Sequence, residues 1–411
     1  MTLARVRIEK LVAGGAGLAR TPSGVVLVTG ALPDELVEVE LHKKRGTLEG
    51  KLRRIIEPTA ARVHVRRGTP PTANLAHAEY SAQLGYKHAI VQEALERIGK
   101  QDFAVAATQP SPLEWNYRNA AQYLVTPAGI GYRQPNTHRA WLLESDPLVG
   151  NVLSDGLAAL DGEKLAPSLE IALRGSFLTG EVLACLIGKD SPNRFRNAVK
   201  HLRNLGVGGI SYAFASLEGR FRAGTEQLFG EQTILEQYGD FALSVSASGF
   251  AQVNPQAASQ LYKKARELAG HGNLAVDVYG GSGALGLHFA KHFKSVQVIE
   301  INAEAIARGQ ADQKRLGIQN CSFTRGDAAR LERVFADCIA LDPPRAGLSQ
   351  DVVRSVLLAR APRLLYISCE PTTWARDVAK LTRGGYRLTY AQPWDFYPQT
   401  SHVEVLSLLE L

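Results

Sequence analysis

The sequence predicts an α/β protein in three parts: a small β-barrel of OB type over residues 1–57, an α+β region over 58–245 and a doubly wound domain over 246–411. Three observations carry this. From about residue 246 short apolar runs (AVDV, SVQVIE, CIALD, RLLYIS, VEVLSLL) alternate with helical stretches, the texture of a parallel sheet covered by helices on both faces. Residues 1–57 instead show closely spaced strands, with Val37, Val39 and Leu41 alternating with Glu38 and Glu40. The 411 residues are 45% hydrophobic and 21% charged, so each part can bury a core of its own.

Taken in order, the strands ARVRIEK, GVVLVTG and ELVEVELHKK are separated by the turn-rich VAGGAGLARTPSG and ALPD, and the basic stretch 43–54 forms the barrel's last hairpin. Segment 41–70 holds Lys43, Lys44, Arg45, Lys51, Arg53, Arg54, Arg62, Arg66 and Arg67 against Glu49 and Glu57. That surplus of seven equals the net charge of the whole chain, +7 from 47 basic and 40 acidic residues. Such a concentration suits a polyanion-binding face, and it equally suits a solvated basic surface. After Pro58 and TPPTAN, the segment 79–99 reads as an amphipathic helix with Leu84, Ile90, Val91, Ala94, Leu95 and Ile98 on one stripe. A second basic element, NRFRNAVKHLRNLG, sets Arg194, Arg196, Lys200 and Arg203 among apolar residues; it reads as a solvated helix face or as a contact for RNA.

No stretch of about 18 apolar residues occurs, and MTLARVRIEKLV carries charges where a leader peptide is apolar, so membrane and secreted classes fall away. Cys185, Cys321, Cys338 and Cys369 are far apart with no CxxC pair, which indicates neither a zinc site nor a disulfide framework and fits a reducing cytoplasm.

Chemistry concentrates in the C-terminal part. Gly281, Gly283 and Gly286 satisfy the Rossmann-like GxGxxG pattern, and Glu300 closes the next strand where a ribose-binding acid belongs. A nicotinamide dinucleotide is one ligand for such a loop. Asp277, just before the glycines, would face its pyrophosphate unfavourably but would welcome the cationic amino-acid end of S-adenosylmethionine. Asp327 in GDAARL is either a cap or an adenine contact. Asp342 in IALDPPRAGL ends a buried strand at the edge where open sheets bind ligands, with two prolines fixing the backbone beyond it. Cys369 follows the apolar strand YIS at the same edge, with Arg376 downstream as a cation to favour a thiolate; the alternative is a small core residue. His402 and Glu404 open the last strand on one face, where a salt bridge or cap is the plainer reading of Glu404 and an active-site carboxylate the other.

Together FAQVN (250–254), DVYGGSG (277–283), LDPPRAGL (341–348), YISCEPTTWARD (366–377) and DFYPQTSHVEVL (395–406) closely resemble the RNA uracil-C5 methyltransferases, which make 5-methyluridine in ribosomal and transfer RNA. The resemblance extends over essentially the whole chain, including a TRAM-like N-terminal barrel. It implies a Rossmann-like, S-adenosylmethionine-dependent methyltransferase domain, RNA as partner and a cytoplasmic enzyme, with a monomer as the default. It also implies Cys369 as nucleophile, Glu404 as base, and cofactor or target contacts by Gln252, Tyr279, Gly281, Gly283, Glu300, Asp327 and Asp342. Three departures stand out. Pro70 and Ala73 occupy places where many relatives carry cysteines of an iron–sulfur cluster, so no cluster is expected. Gly280 and Ala284 leave only backbone contacts there, and Glu370 replaces the usual asparagine after the nucleophile.

The implied chemistry suits these residue types. Uracil C5 is too weakly nucleophilic to attack a sulfonium methyl unless a thiolate first adds to C6, and the C5 proton must then be removed to expel the thiolate. A stacked base must be flipped out to react. A cytosine-C5 enzyme would place a second cysteine after the prolines, where Arg345 stands. An RNA-binding protein on a decayed enzyme scaffold is the non-catalytic alternative, against which the intact Cys369 and Glu404 speak.

Overall fold

The computed structural model describes residues 2–44, 47–134, 137, 139–216, 221, 224–331 and 335–411. Its C-terminal sheet has seven strands, in spatial order Cys321–Arg325, Phe293–Glu300, Gly272–Val278, Cys338–Leu341, Arg363–Ser368, Glu404–Glu410 and Arg387–Trp394. The first five are mutually parallel. Glu404–Glu410 runs antiparallel to both of its neighbours, so the expected all-parallel sheet is corrected to a mixed one. The strand Arg387–Trp394 escaped the sequence reading because it is an edge strand: RLTYAQPW mixes polar residues and a proline, as edges tolerate. The reversal has a functional consequence. It brings the first residue of the last strand beside the C-terminal ends of the parallel strands, with Val405 paired to Ser368.

Strand alternation divides the sheet's apolar residues between two cores. Val276, Val278, Leu341, Leu364 and Tyr366 pack with Trp374 and Val378 on one face. Ala275, Val298, Ala340, Leu365 and Ile367 pack with Ala258 and Leu261 on the other. Each core also takes in an upstream segment. Helix Tyr80–Ala94 lends Val91 and Ala94 to the first, and the hairpin Ile234–Tyr238/Phe241–Val245 lends Tyr238, Leu243 and Val245 to the second. The helix ends in a π-helical turn, Leu95–Gly99, whose wider winding rotates the stripe; Ile98, expected inside, is 41% exposed.

Upstream lie two further sheets. Six strands between Thr2 and Glu57 form one of mixed pairing, joined by the long hairpin Leu36–Lys44/Thr47–Glu57. Seven strands between Ala120 and Gly230 form the other, covered on one side by helix Arg196–Asn204. Val37 and Val39 are buried as expected, and Glu40 is buried with them, paired to Arg53. Arg45 lies outside the described residues.

Candidate functional site

At the C-terminal edge of the parallel strands, a cavity opens between the loop after Val278, the loop 246–254 and the hairpin 234–245. Gln252, Tyr279, Gly281 and Asp342 line it, together with Asp277. The first βα turn forms the floor. Tyr279 takes a left-handed φ of 62°, a conformation that costs a non-glycine residue free energy and recurs at ligand sites. Gly281, at φ 56°, has open space where a Cβ would stand, so the backbone faces the cavity bare.

Asp277 is 1% exposed and accepts the Gly286 N–H at 2.8 Å. Burial, partly offset by that hydrogen bond, raises its pKa to about 7. Asp342 is likewise raised by burial to about 7. Gln252 is buried, held by its carbonyl accepting the Tyr238 hydroxyl at 2.6 Å, while its side-chain Oε1 has no partner among the described residues. Two carboxyls poised between charge states and an orphaned amide oxygen thus face one cavity. A cationic ligand with N–H donors would satisfy all three.

The remaining residues of the predicted set sit nearby in different roles. Gly283 caps helix Ala284–Phe289 at φ 77°, where a Cβ would strike the Phe323 ring, so glycine is required there for packing. Glu300 accepts the N–H of Gly281 at 3.0 Å, and those of Ile301 and Asn302, bracing the glycine loop from the next strand. Exposed Asp327 accepts the Ala329 N–H at 3.0 Å, the local capping arrangement. None of these three lines the cavity.

Cys369 and Glu404 meet where the last strand reverses. Cys369 is half-buried and Glu404 is 3% exposed. Burial and the carboxyls of Glu404 and Asp342 push the Cys369 thiol up to about 11, against the opposing pull of the Arg345 guanidinium. Burial and Asp342 likewise hold the Glu404 carboxyl well above its usual range, again opposed by Arg345. Asp342 is therefore shared: it walls the cavity and is felt by both groups beside it.

The cation beside the thiol is Arg345, and Arg376, expected in that place, is committed elsewhere. Arg376 bonds Asp377 and the Ala346 carbonyl, while Asp377 also takes the Leu348 N–H at 2.8 Å and the Tyr366 hydroxyl at 3.1 Å. This network pins the loop carrying Asp342 and Arg345 to helix Pro371–Arg383. Glu370 caps that helix through the Thr372 N–H. The PPR triplet was the signal for Arg345. Tyr238, Tyr262 and Leu243 also line the cavity, and no local pattern marks them, because they arrive from outside the catalytic strands. Among the described residues, no three His, Cys, Asp or Glu side chains gather as metal ligands.

Residues 318–411 match the model of the tRNA (uracil-5-)-methyltransferase family. Over nearly the whole chain the sequence is similar to proteins described as uncharacterized RNA methyltransferases. One from Halalkalibacterium halodurans is 32% identical, covering 99% of this chain and 96% of that protein. One from Enterococcus faecalis is 30% identical, covering 98% and 96%. In fold, the chain is similar to the Pyrococcus abyssi tRNA (uracil-54, C5)-methyltransferase in complex with S-adenosyl-L-homocysteine, with a TM-score of 0.81, 23% identity and coverage of 99% and 100%.

Proposed function

Because the chain belongs to the RNA uracil-C5 methyltransferase family, we propose that it methylates C5 of a uridine in ribosomal or transfer RNA through a covalent intermediate, with Cys369 as nucleophile and Glu404 as base. One observation supports this above the others: Asp342 belongs both to the ligand cavity and to the surroundings of Cys369 and Glu404, so a methyl donor in the cavity would lie against the thiol. S-adenosylmethionine fits the cavity's chemistry, since Asp277 and Asp342 complement its cationic groups and Gln252 Oε1 lacks a donor among the described residues. When bound, it supplies an electrophilic methyl carbon.

The chain's own residues would act as follows. In the free protein Cys369 holds its proton, and burial together with Asp342 holds the Glu404 carboxyl above its usual range. Positive charge brought into the cavity beside Asp342 lowers both pKa values, so ionisation of the site is coupled to its filling. The thiol proton passes to solvent on the open Arg345 side. The Cys369 sulfur forms a bond to C6 of the uracil, and the C5–C6 π electrons move onto the C4 oxygen. After C5 has gained its methyl group, the Glu404 carboxylate takes the C5 proton, the C5–C6 double bond re-forms and the Cys369 thiolate leaves with its electron pair.

In this reading residues 1–57 form a TRAM-like barrel of OB type that binds RNA, 58–245 shape its recognition, and 246–411 carry catalysis, with the helix 80–94 and hairpin 234–245 completing the catalytic core. The protein would act as a cytoplasmic monomer; no described helix is long and apolar enough to cross a membrane. The test is nucleoside mass spectrometry of RNA incubated with the protein and S-adenosylmethionine. 5-Methyluridine is expected; 5-methylcytidine, or no methylation with tight NADH binding, would overturn the assignment.

A further inference from the structure

The last two strands of the C-terminal sheet, Arg387–Trp394 and Glu404–Glu410, are joined by the loop 395–403, and the pair that closes it is Trp394 with Glu404. Asp395 therefore stands at one root of the loop and Glu404 at the other. Asp395 forms an ion pair with Lys87 of helix Tyr80–Ala94, Nζ to Oδ1 at 2.5 Å, with both side chains 0% exposed. Lys87 Nζ also donates to the Tyr397 carbonyl at 3.1 Å, and Asp395 Oδ1 accepts the Tyr397 N–H at the same distance. From there the bonds run on along the loop. The Tyr397 carbonyl accepts the Thr400 N–H and hydroxyl, at 3.2 and 2.8 Å, and the Thr400 hydroxyl accepts the His402 N–H at 3.3 Å. The Tyr397 ring lies edge-on to His402, centroids 5.8 Å apart, and His402 Nδ1 is 3.4 Å from Arg345 Nη2.

Other side chains of the same upstream region hold the rest of the loop. Gln83 exchanges two bonds with Gln399, accepting its backbone N–H and donating to its Oε1, both at 2.9 Å; Asn74 exchanges two with Ser401, at 2.8 and 3.0 Å. Gln399 takes a left-handed φ of 69°, which these bonds hold against its cost to a non-glycine residue. A fully buried ion pair is a poor source of stability, because removing two charges from water offsets most of their attraction and apolar residues of similar volume often serve as well. What Lys87 supplies is direction: its ammonium fixes two acceptors on one loop, the carboxylate at its root and a carbonyl within it. The consequence reaches the catalytic pair through the sheet. Val405 pairs with Ser368, so a shift of the loop's root moves Glu404 against Cys369, the next residue along.

We propose that Lys87 is a positioning residue for methyl transfer: through Asp395 and the Tyr397 carbonyl it holds the loop that sets Glu404 for removal of the C5 proton. Sealed from solvent, Lys87 itself is out of reach of RNA and cofactor. In the step concerned, the proton passes from C5 to the Glu404 carboxylate, the electrons of the C5–H bond re-form the C5–C6 double bond, and the C6–S bond breaks with its pair leaving on the Cys369 sulfur. Such a transfer depends steeply on placement, and an error of about 1 Å costs about 10²-fold. The inference rests on the uracil reading above and adds to it a residue from outside the catalytic strands.

The test compares the full-length wild type with Lys87→Met, Lys87→Met/Asp395→Asn and Thr400→Val. Lys87→Met leaves a buried carboxyl without its cation and should lower the denaturant midpoint. In the double variant the amide needs no counter-ion and still accepts the Tyr397 N–H, so the midpoint should return while the tie from Lys87 stays cut. A purely structural role predicts that activity returns with it. Positioning predicts instead that kcat stays about 10- to 100-fold down at unchanged S-adenosylmethionine affinity, and that methyl-labelled RNA accumulates on the protein in a denaturing gel, as slow removal of the C5 proton requires. Thr400→Val cuts the same path at the His402 N–H without disturbing a charge, so it reads the proposal even if the lysine variants fail to fold; it should show the labelled complex and a loss of about three- to tenfold. Wild-type kcat in the folded double variant or in Thr400→Val, or a lowered kcat without labelled complex, would overturn the positioning role and leave the uracil reading standing. Absence of 5-methyluridine from the wild-type reaction would overturn both.

Discussion

Glu35 in the N-terminal sheet and Glu404 in the C-terminal one are almost equally withdrawn from water, 0% and 3% exposed, yet their pKa values are moved in opposite directions. Burial pushes Glu35 up, but two bonds from Arg62, at 2.5 and 2.8 Å, and the Leu32 N–H at 2.8 Å more than reverse it and hold the carboxyl below its usual range. Glu404 accepts no hydrogen bond among the described residues; burial and Asp342 raise it, and Arg345 only moderates the rise. The difference teaches where to look for chemistry. A buried carboxylate with its compensation built in is a structural part, whereas one left uncompensated is waiting for something that is not in the fold.

The largest expected effect breaks the comparison at the catalytic end. Cys369→Ala should abolish methyl transfer and covalent RNA attachment together, because without C6 addition the ring never becomes nucleophilic. Glu404→Gln should slow turnover by about 10²- to 10⁴-fold while still forming the bond to C6, so methylated RNA accumulates on the protein. A denaturing gel with methyl-labelled cofactor reads both: a slow-migrating labelled band for Glu404→Gln, absent from the double variant. Normal turnover by Glu404→Gln would make its carboxylate structural and return attention to His402.

Stability should respond in the reverse order, by a smaller amount. Glu35→Gln strips Arg62 of its partner and should cost about 2–4 kcal/mol at pH 7, read by denaturant unfolding, with S-adenosylmethionine binding retained at native conditions. The pH dependence separates the two acids. Glu35 is depressed on folding, so its contribution is present above its ordinary value near 4.5 and lost as pH falls through the folded value. Glu404 is raised, so the folded state keeps a proton that the unfolded state has released, and stability falls as pH climbs above about 4.5. Glu404→Gln should therefore gain stability over the wild type between pH 5 and 8, and Glu35→Gln should lose the acid limb. Parallel curves for all three proteins would refute the contrast.

The same contrast explains what was legible in the sequence. Residues at strand ends in the C-terminal part could be read because each combines an apolar strand, which fixes its place, with a polar residue that lacks a structural excuse; Asp342, Cys369 and Glu404 are of this kind. Residues whose role depends on a distant partner could not. Arg376 looked like the cation for Cys369 until Asp377 claimed it, and the nearer-fitting Arg345 comes from another loop. Tyr238 and Leu243 join the cavity from a hairpin that local pattern assigns to the middle region. Glu40 alternates with valines as a surface residue should, and the Arg53 side chain from the paired strand, its ion-pair partner, lies against it, which the alternation does not show.

Partnership also sorts the basic segment, where the smallest effect is expected. Of the nine cations in 41–70, Arg53 and Arg62 serve Glu40 and Glu35, Arg67 lies 3.2 Å from Glu144, and Arg66 stands 5.5 Å over the Trp115 ring. Counting charge overstates what is available to a polyanion. Lys43, Lys51 and Arg54 remain exposed on the paired strands 36–44 and 47–57, with no ion pair among the described residues. If these three meet RNA phosphates, replacing them together by glutamate should weaken RNA binding about tenfold at 100 mM salt and lower the salt slope by about 2–3, since each released contact removes about 0.7–0.9. S-adenosylmethionine affinity and unfolding midpoint should not move, because none of the three holds a buried partner. Filter binding at low and high salt reads the result: an unchanged dissociation constant at both would make this face solvated surface and leave RNA contact to the catalytic end, whereas a loss confined to low salt would show long-range attraction without phosphate contact.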